Sequence, residues 1–164
     1  MQDGDLKIVD VPLGNRSALI PLLEESFEGW YLRHSKRMLA EIDVIRAAEV
    51  DELPVGLVML KTLYGVAGYV YYIAVAPDFR RRKVGAKLLE HSLKYFSGIG
   101  VREIYASIEE DNVESAGLFQ SKGFRKTSYG EVSKTHGRLR ALNMYRKMLV
   151  VPGEILLRLQ LDGV

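Results

Sequence analysis

The residues best suited to chemistry, by type and spacing, lie between Ile73 and Leu89. An apolar stretch runs through Pro77 into four consecutive cations, Arg80-Arg81-Arg82-Lys83, and then into apolar residues at helical spacing. The first turn of a helix leaves backbone N–H groups without internal partners and carries partial positive charge. Small residues at Gly85 and Ala86 let a phosphate approach those N–H groups, and the arginines add forked donors. The stretch therefore predicts a diphosphate-binding site.

Better-known phosphate and metal chemistries do not fit the sequence. The glycine and Lys-Ser/Thr spacing of a Walker loop and the Gly-x-Gly-x-x-Gly dinucleotide fingerprint are both missing from this stretch. The chain has no Cys, which excludes a disulfide framework, a thiolate metal site and a Cys nucleophile. His34, His91 and His136 have no ligand partner three or four residues away, so no metal site is predicted.

The predicted loop needs a buried strand before it and a helix after it. Residues 69–75 are almost all β-branched or aromatic, which is typical of a strand buried on both faces. Apolar residues then recur at helical spacing at Val84, Leu88, Leu89, Leu93 and Phe96. Gly98 and Gly100 end that helix. Strand, loop and helix are thus predicted in direct succession.

The remaining pattern predicts a mixed order of elements. Strands are expected at 6–11, 42–50, 57–60 and 104–108, with a closing pair at 124–132 and 139–149. Helices are expected after Asn15 or Ser17, at 31–41, and from a cap at Asp111 to Gly123. Residues 150–164 form a short apolar appendage. This order predicts one α/β (α+β) sheet domain rather than an all-helical or all-β chain.

Charge is segregated along a nearly neutral chain. The 164 residues carry 23 Lys and Arg against 21 Asp and Glu, a net charge of +2. Residues 1–60 hold 6 basic and 11 acidic side chains, whereas residues 61–100 hold 7 and 2. A local cationic cluster in a balanced chain favours an anionic ligand at one place and makes nucleic acid an unlikely partner. The acidic N-terminus is unlike a signal peptide and no apolar run approaches a membrane span, so we expect a cytoplasmic protein with no membrane contact.

Two sequence motifs, in this order along the chain, resemble those of the GNAT superfamily of acetyl-CoA-dependent N-acetyltransferases. The first matches at Val75, Pro77, Asp78, Phe79, Arg80, Gly85 and Ala86. The second matches at Asn112, Ala116, Leu118, Phe119, Gly123 and Phe124. The resemblance implies a mixed, mostly antiparallel central sheet flanked by helices. It implies a GNAT domain over residues 1–150 and leaves 151–164 as a C-terminal extension of unknown role.

The resemblance implies that acetyl-CoA is the co-substrate and that no metal is needed. The family's residue roles can be carried over position by position. The backbone of Ile73–Val75 would bind the pantetheine arm, and an N–H near Val75 would stabilise the tetrahedral oxyanion. The basic loop would bind the pyrophosphate, Asn112 the pantetheine, and Phe119 would lie near the sulfur. The residues expected to bind acetyl-CoA are Ile73, Ala74, Val75, Arg80, Arg81, Arg82, Lys83, Val84, Gly85, Ala86, Asn112 and Phe119.

Two positions depart from the family pattern. Lys83 replaces the first loop glycine, which suits an ordinary helical backbone but is disfavoured at positive φ. Phe119 replaces the Tyr that usually protonates the thiolate, so the catalytic acid is unknown. Water or another hydroxyl can serve, because a thiol with a pKa of about 8.5 leaves readily.

Candidates for the acid and the base are named by proximity in sequence only. The hydroxyl candidates are Tyr105, Ser121 and Tyr129. Some relatives place a catalytic Glu where this chain has about Ser107. The carboxylate candidates are Glu109, Glu110, Glu28 and Glu49.

We expect an N-acetyltransferase that acts on a primary amine of a protein N-terminus, a lysine or a small molecule. One alternative is a non-catalytic CoA-binding sensor or subunit, as Phe119 suggests. Another is a nucleic-acid-binding module that adds Arg138, Arg140, Arg146 and Lys147 to the loop cations. Trp30 and Tyr31 either line the acceptor cleft or pack between helices. A homodimer is possible if the apolar residues 155–159 pair with a partner's sheet edge.

Overall fold

The protein is described by a computed structural model covering residues 5–148 and 150–162. The strands are β1 Lys7–Asp10, β2 Val44–Val50, β3 Leu53–Leu63, β4 Ala67–Val75, β5 Glu103–Glu109, β6 Arg125–Thr127 and β7 Glu154–Gln160. The helices are α1 Ile20–Ser26, α2 Gly29–Glu41, α3 Val84–Gly98, α4 Val113–Ser121, α5 Tyr129–His136 and α6 Arg138–Met148. Short 3₁₀ segments cover Leu13–Leu19 and Pro77–Phe79.

The strands form one seven-stranded sheet in the order β1-β2-β3-β4-β5-β7-β6. β1 and β2, β2 and β3, β5 and β7, and β6 and β7 pair antiparallel, whereas β4 and β5 pair parallel. The predicted single α/β domain with a mostly antiparallel sheet and flanking helices is therefore confirmed. Two compact units can be distinguished in it, residues 5–61 with 72–95 and residues 62–71 with 96–162. In the described ranges, no helix has both the length and the apolar character needed to cross a bilayer.

The first unit places the start of α3 firmly against β3. A Cβ added at Gly56 would lie 3.0 Å from Val84 Cγ1 and 3.1 Å from Leu88 Cδ1. A larger residue here would force the Val84 and Leu88 side chains to shift by a few tenths of an ångström, so glycine favours this close approach of helix and strand. On another side of the unit, the buried Arg16 guanidinium donates to the carbonyls of Leu39 at 2.9 Å and Ile42 at 2.8 Å, which satisfies the C-terminal end of α2.

The second unit corrects the predicted closing pair of strands. Strand structure covers only Arg125–Thr127, and residues 129–136 and 138–148 are the helices α5 and α6. Ala141, Met144 and Met148 are spaced three and four residues apart and are fully buried, so α6 shows one apolar face to the core. Ser128 accepts a hydrogen bond from the Glu131 N–H at 3.3 Å and begins α5.

Residues 154–160 of the predicted extension are β7, a strand of the sheet. β7 pairs with β5 along its whole length and with β6 through Leu156–Arg158. The prediction that residues 155–159 pair with a partner's sheet edge is wrong, because they pair within their own chain. Homodimer formation itself stays a prediction.

Candidate active site

The loop between β4 and α3 has the predicted form. β4 ends at Val75, the 3₁₀ turn Pro77–Phe79 follows, and α3 begins at Val84. The Lys87 N–H donates to the Lys83 carbonyl at 3.0 Å, which is the first hydrogen bond of α3. The N–H groups of residues 84–86 consequently have no acceptor within the helix. These are the donors that the sequence assigned to a diphosphate.

β4 continues past its pairing with β5. The register between the two strands covers Ala67–Val70, while β4 itself runs to Val75. In the described part of the chain, residues 71–75 of β4 therefore lie outside this ladder. An extended ligand can hydrogen-bond to such a strand edge as an added strand would.

Two non-glycine residues of the loop have a left-handed backbone. Arg81 has φ 60° and Lys83 has φ 62°. Lys83 therefore adopts the positive φ that was expected to disfavour a lysine at this glycine position. Left-handed residues in turns help to direct successive N–H groups into an anion-binding concavity. Lys83 therefore holds this backbone conformation at a cost in strain.

The side chains of the loop stabilise the turn and also give its surface a positive charge. The Arg80 Nε donates to the Val75 carbonyl at 3.0 Å, and the Arg82 guanidinium lies 5.4 Å from the Phe79 ring centroid. All four cations from Arg80 to Lys83 are exposed. Arg80 therefore has a structural role that the sequence did not predict, and the surface of the turn is strongly positive.

A cavity of about 830 Å³ adjoins the loop within the first unit, a volume typical of small-molecule sites. It brings Arg82 and Lys87 together with the turn between β2 and β3, where Asp51 has φ 50° and Glu52 φ 64°. Its lining comprises Asp5, Leu6, Glu25, Val50, Asp51, Leu53, Pro54, Val55, Ala76, Pro77, Asp78, Phe79, Arg82, Val84 and Lys87.

In the second unit, Asn112 and Phe119 have clear structural roles. Asn112, and not the predicted Asp111, caps α4, because its Oδ1 accepts from the Ser115 N–H at 3.0 Å. The Phe119 ring is 5% exposed and packs edge-to-face on Phe124 with centroids 5.1 Å apart. Their predicted contacts with acetyl-CoA stay predictions.

The hydroxyl candidates already have structural partners. The Ser121 hydroxyl donates to the Leu118 carbonyl at 2.6 Å, and the Tyr129 hydroxyl donates to the Arg138 carbonyl at 3.3 Å. Burial, and then the Glu103 charge, raise the pKa of Tyr105 far above its usual range. Tyr105 therefore stays protonated inside the core, which makes it a poor source of a proton for a bound ligand.

The carboxylate candidates differ in exposure. Glu109, at the end of β5, and Glu110 after it are exposed, as is Glu28 before α2, whereas Glu49 in β2 is partly buried. Ser107, at the position where some relatives have a catalytic Glu, shares a 2.7 Å hydrogen bond with the Tyr69 hydroxyl.

The structure brings together a pair of residues that the sequence did not single out. The His34 Nδ1 and the Tyr72 hydroxyl are 2.8 Å apart, although they belong to α2 and β4. Trp30 stacks on the His34 ring at 4.8 Å and 13°, and Phe27 lies 5.2 Å from the Tyr72 ring. Whether Trp30 and Tyr31, 5.2 Å apart and edge-to-face, line an acceptor cleft stays a prediction.

The GNAT acetyltransferase family model matches residues 16–124, a range that contains β4, the loop, α3 and both motifs. The chain belongs to the GNAT family. An N-acetyltransferase of Bacillus subtilis, YfmK, is 30% identical over 129 residues, which are 76% of this chain and 81% of that protein. The ribosomal protein bS18-alanine N-acetyltransferase of Salmonella typhimurium is 34% identical over 59 residues, only 36% of this chain and 40% of that protein.

Solved structures of this GNAT family share the fold. The ribosomal-protein-S18-alanine N-acetyltransferase of Escherichia coli has a TM-score of 0.73 at 15% identity, covering 97% of this chain and 96% of that one. The PaiA N-acetyltransferase of Thermoplasma acidophilum, solved with coenzyme A, has a TM-score of 0.72 at 14% identity, covering 95% and 99%.

Proposed function

We propose that this GNAT protein transfers the acetyl group of acetyl-CoA directly to a primary amine. The acceptor is a protein or peptide N-terminus, a lysine or a small amine. The observation that carries the proposal is a strand that extends beyond its ladder with β5 and leads into a cationic, left-handed turn at the start of α3. Such an arrangement suits a ligand with an extended arm and a diphosphate, as acetyl-CoA has.

The residues that bind acetyl-CoA form two groups, one for the diphosphate and one for the pantetheine arm. Residues 84–86 offer backbone N–H groups to the diphosphate, and Arg81, Arg82 and Lys83 offer charge. The backbone of Ile73 and Ala74, with the N–H of Val75, offers strand-like hydrogen bonds to the pantetheine arm. The Val75 carbonyl already accepts from the Arg80 Nε, which leaves one lone pair for a further donor.

The transfer needs few protein groups. The amine nitrogen attacks the thioester carbonyl, an N–H near Val75 stabilises the oxyanion, and the C–S bond breaks as the C–N bond is completed. The thiolate leaves readily, so Phe119 need not supply a proton. The chain has no Cys to carry the acetyl group, which favours direct transfer over a Cys-linked intermediate.

The charge distribution supports a cationic acceptor. Residues 1–60 carry 6 basic and 11 acidic side chains, an excess of five negative charges, and the family places the acceptor on this part of the chain. An acidic surface attracts an ammonium group before it loses its proton.

The test begins with calorimetric titration of the protein with acetyl-CoA, followed by a released-CoA assay over a panel of peptides and amines. Arg82→Glu removes a phosphate partner and adds repulsion, so we expect binding to weaken about tenfold or more. Arg140→Glu, an equal charge change at an exposed position of α6, is the matched control and leaves affinity within twofold. No binding at millimolar acetyl-CoA contradicts the proposal. Binding without CoA release favours the non-catalytic sensor.

A further inference from the structure

The proposed transfer leaves one proton without an assigned acceptor. When an amine attacks a thioester, its nitrogen becomes cationic in the tetrahedral intermediate and must lose a proton before the product amide forms. The usual place for a carboxylate base holds Ser107, which is hydrogen-bonded to Tyr69. A base on β4 itself, the strand expected to hold the thioester, would lie next to the reacting carbonyl.

Tyr72 immediately precedes the segment Ile73–Val75 of β4, which is expected to hold the pantetheine arm. Its hydroxyl lies 2.8 Å from the His34 Nδ1, a normal distance for an O–H···N hydrogen bond. With a hydrogen on Nε2, the neutral imidazole accepts at Nδ1 while the phenol donates, and the phenol oxygen keeps lone pairs for a second proton. The pair has the connectivity of a proton relay.

Aromatic rings fix the positions of both groups. Trp30 lies parallel to the His34 ring at 4.8 Å, and Phe27 packs against the Tyr72 ring at 5.2 Å. Both His34 and Tyr72 are partly buried. Packed rings hold the 2.8 Å contact in one geometry and limit the water that could compete for the proton.

We propose that Tyr72 and His34 together accept the proton of the attacking amine. As the nitrogen forms its bond to the acetyl carbon, its N–H proton passes to the Tyr72 oxygen and the Tyr72 proton passes to the His34 Nδ1. The imidazole becomes imidazolium and later returns its proton to solvent. The C–S electron pair leaves as the CoA thiolate, which takes a proton from water. Tyr72 is the catalytic residue, and His34 is a positioning residue that acts through it.

The charges around His34 suit this role. Burial lowers the pKa of His34, Arg37 lowers it further, and Glu41 opposes them. Arg37 and Glu41 lie on α2 with His34, and the group facing it from β4 is Tyr72. A neutral imidazole near pH 7 is the form that can accept a proton.

The inference rests on the proposed function, and the experiment separates the two. Wild type, Tyr72→Phe, His34→Gln and the control Tyr64→Phe are compared for acetyl-CoA affinity by calorimetry and for CoA release from pH 5.5 to 9. Tyr72→Phe retains the aromatic ring that packs against Phe27 and removes only the hydroxyl. Tyr64 is an exposed tyrosine outside the proposed site, and its ring centroid lies 4.2 Å from the Lys147 Nζ.

We expect Tyr72→Phe and His34→Gln each to lower kcat by about 100-fold, the low end for general base catalysis, with acetyl-CoA affinity within twofold of wild type. Below about pH 6.5, as His34 takes up a proton, wild-type kcat should fall more than the titration of the amine substrate alone requires, and this additional acid limb should vanish in His34→Gln. Tyr64→Phe should keep kcat within twofold.

A kcat within threefold of wild type in both variants, or a loss confined to KM, would overturn the inference while leaving the proposed function standing. An unchanged acid limb in His34→Gln would overturn it as well. If the wild type binds acetyl-CoA but releases no CoA with any amine, the proposed function fails and this inference fails with it.

Discussion

The left-handed backbone of Lys83 predicts an unusual preference for glycine over alanine. At φ 62°, the Cβ of an L-residue crowds its own backbone, which costs about 1–2 kcal/mol. Glycine avoids that cost, but its greater freedom in the unfolded chain costs about 0.5–1 kcal/mol. Lys83→Gly should therefore be more stable than Lys83→Ala by about 0.5–1 kcal/mol. Both changes remove the same side-chain charge, so their difference isolates the backbone.

The assay is urea unfolding of the two variants, supported by calorimetric melting. For a chain of 164 residues the expected gap in Tm is about 1–4 °C, with glycine higher. Lys94, exposed within α3, provides the opposite case, because glycine in a helix interior is less stable than alanine by about 1 kcal/mol. Alanine at least as stable as glycine at position 83 would refute the left-handed backbone and, with it, our account of the anion-binding turn.

Three further changes test other parts of the structure. Gly68→Ala should destabilise by about 1–3 kcal/mol in urea, because the new Cβ would lie 2.6 Å from the buried Phe96 ring, and Phe96→Leu should restore part of the loss. Glu103→Gln removes the buried charge that pairs with Arg158 and also lies against His136, and it should cost about 3–5 kcal/mol, whereas a loss below about 1 kcal/mol would contradict the pairing. Because burial lowers the pKa of His34, the unfolded chain binds a proton first, so the free energy of unfolding should fall as pH drops below about 6.5. Unfolding curves at pH 5–8 should show a smaller fall in His34→Gln.

The loop and the elements beside it could be predicted because their signals are local. A β-branched run, Pro77 and the helical spacing after Val84 each act over a few residues. The conformation of Lys83 could not be predicted from its type, since lysine disfavours positive φ and only the packed turn imposes it.

The contact between His34 and Tyr72 was also beyond the sequence. It joins residues 38 positions apart on a helix and a strand, and no local pattern carries that information. The closing strands were predicted wrongly although α6 has helical spacing at Ala141, Met144 and Met148. The small alanine and the charged residues between these positions made the apolar face hard to recognise.

The position of β7 has a consequence for how the chain is synthesised. β6 has β7 as its neighbour in the sheet and lies at the sheet edge, yet residues 125–127 leave the ribosome well before residues 154–160. Until those later residues emerge, the backbone edge of β5 that β7 will cover stays open to other chains. We therefore expect the nascent chain to be prone to aggregation through this edge until β7 has emerged from the ribosome and paired with β5.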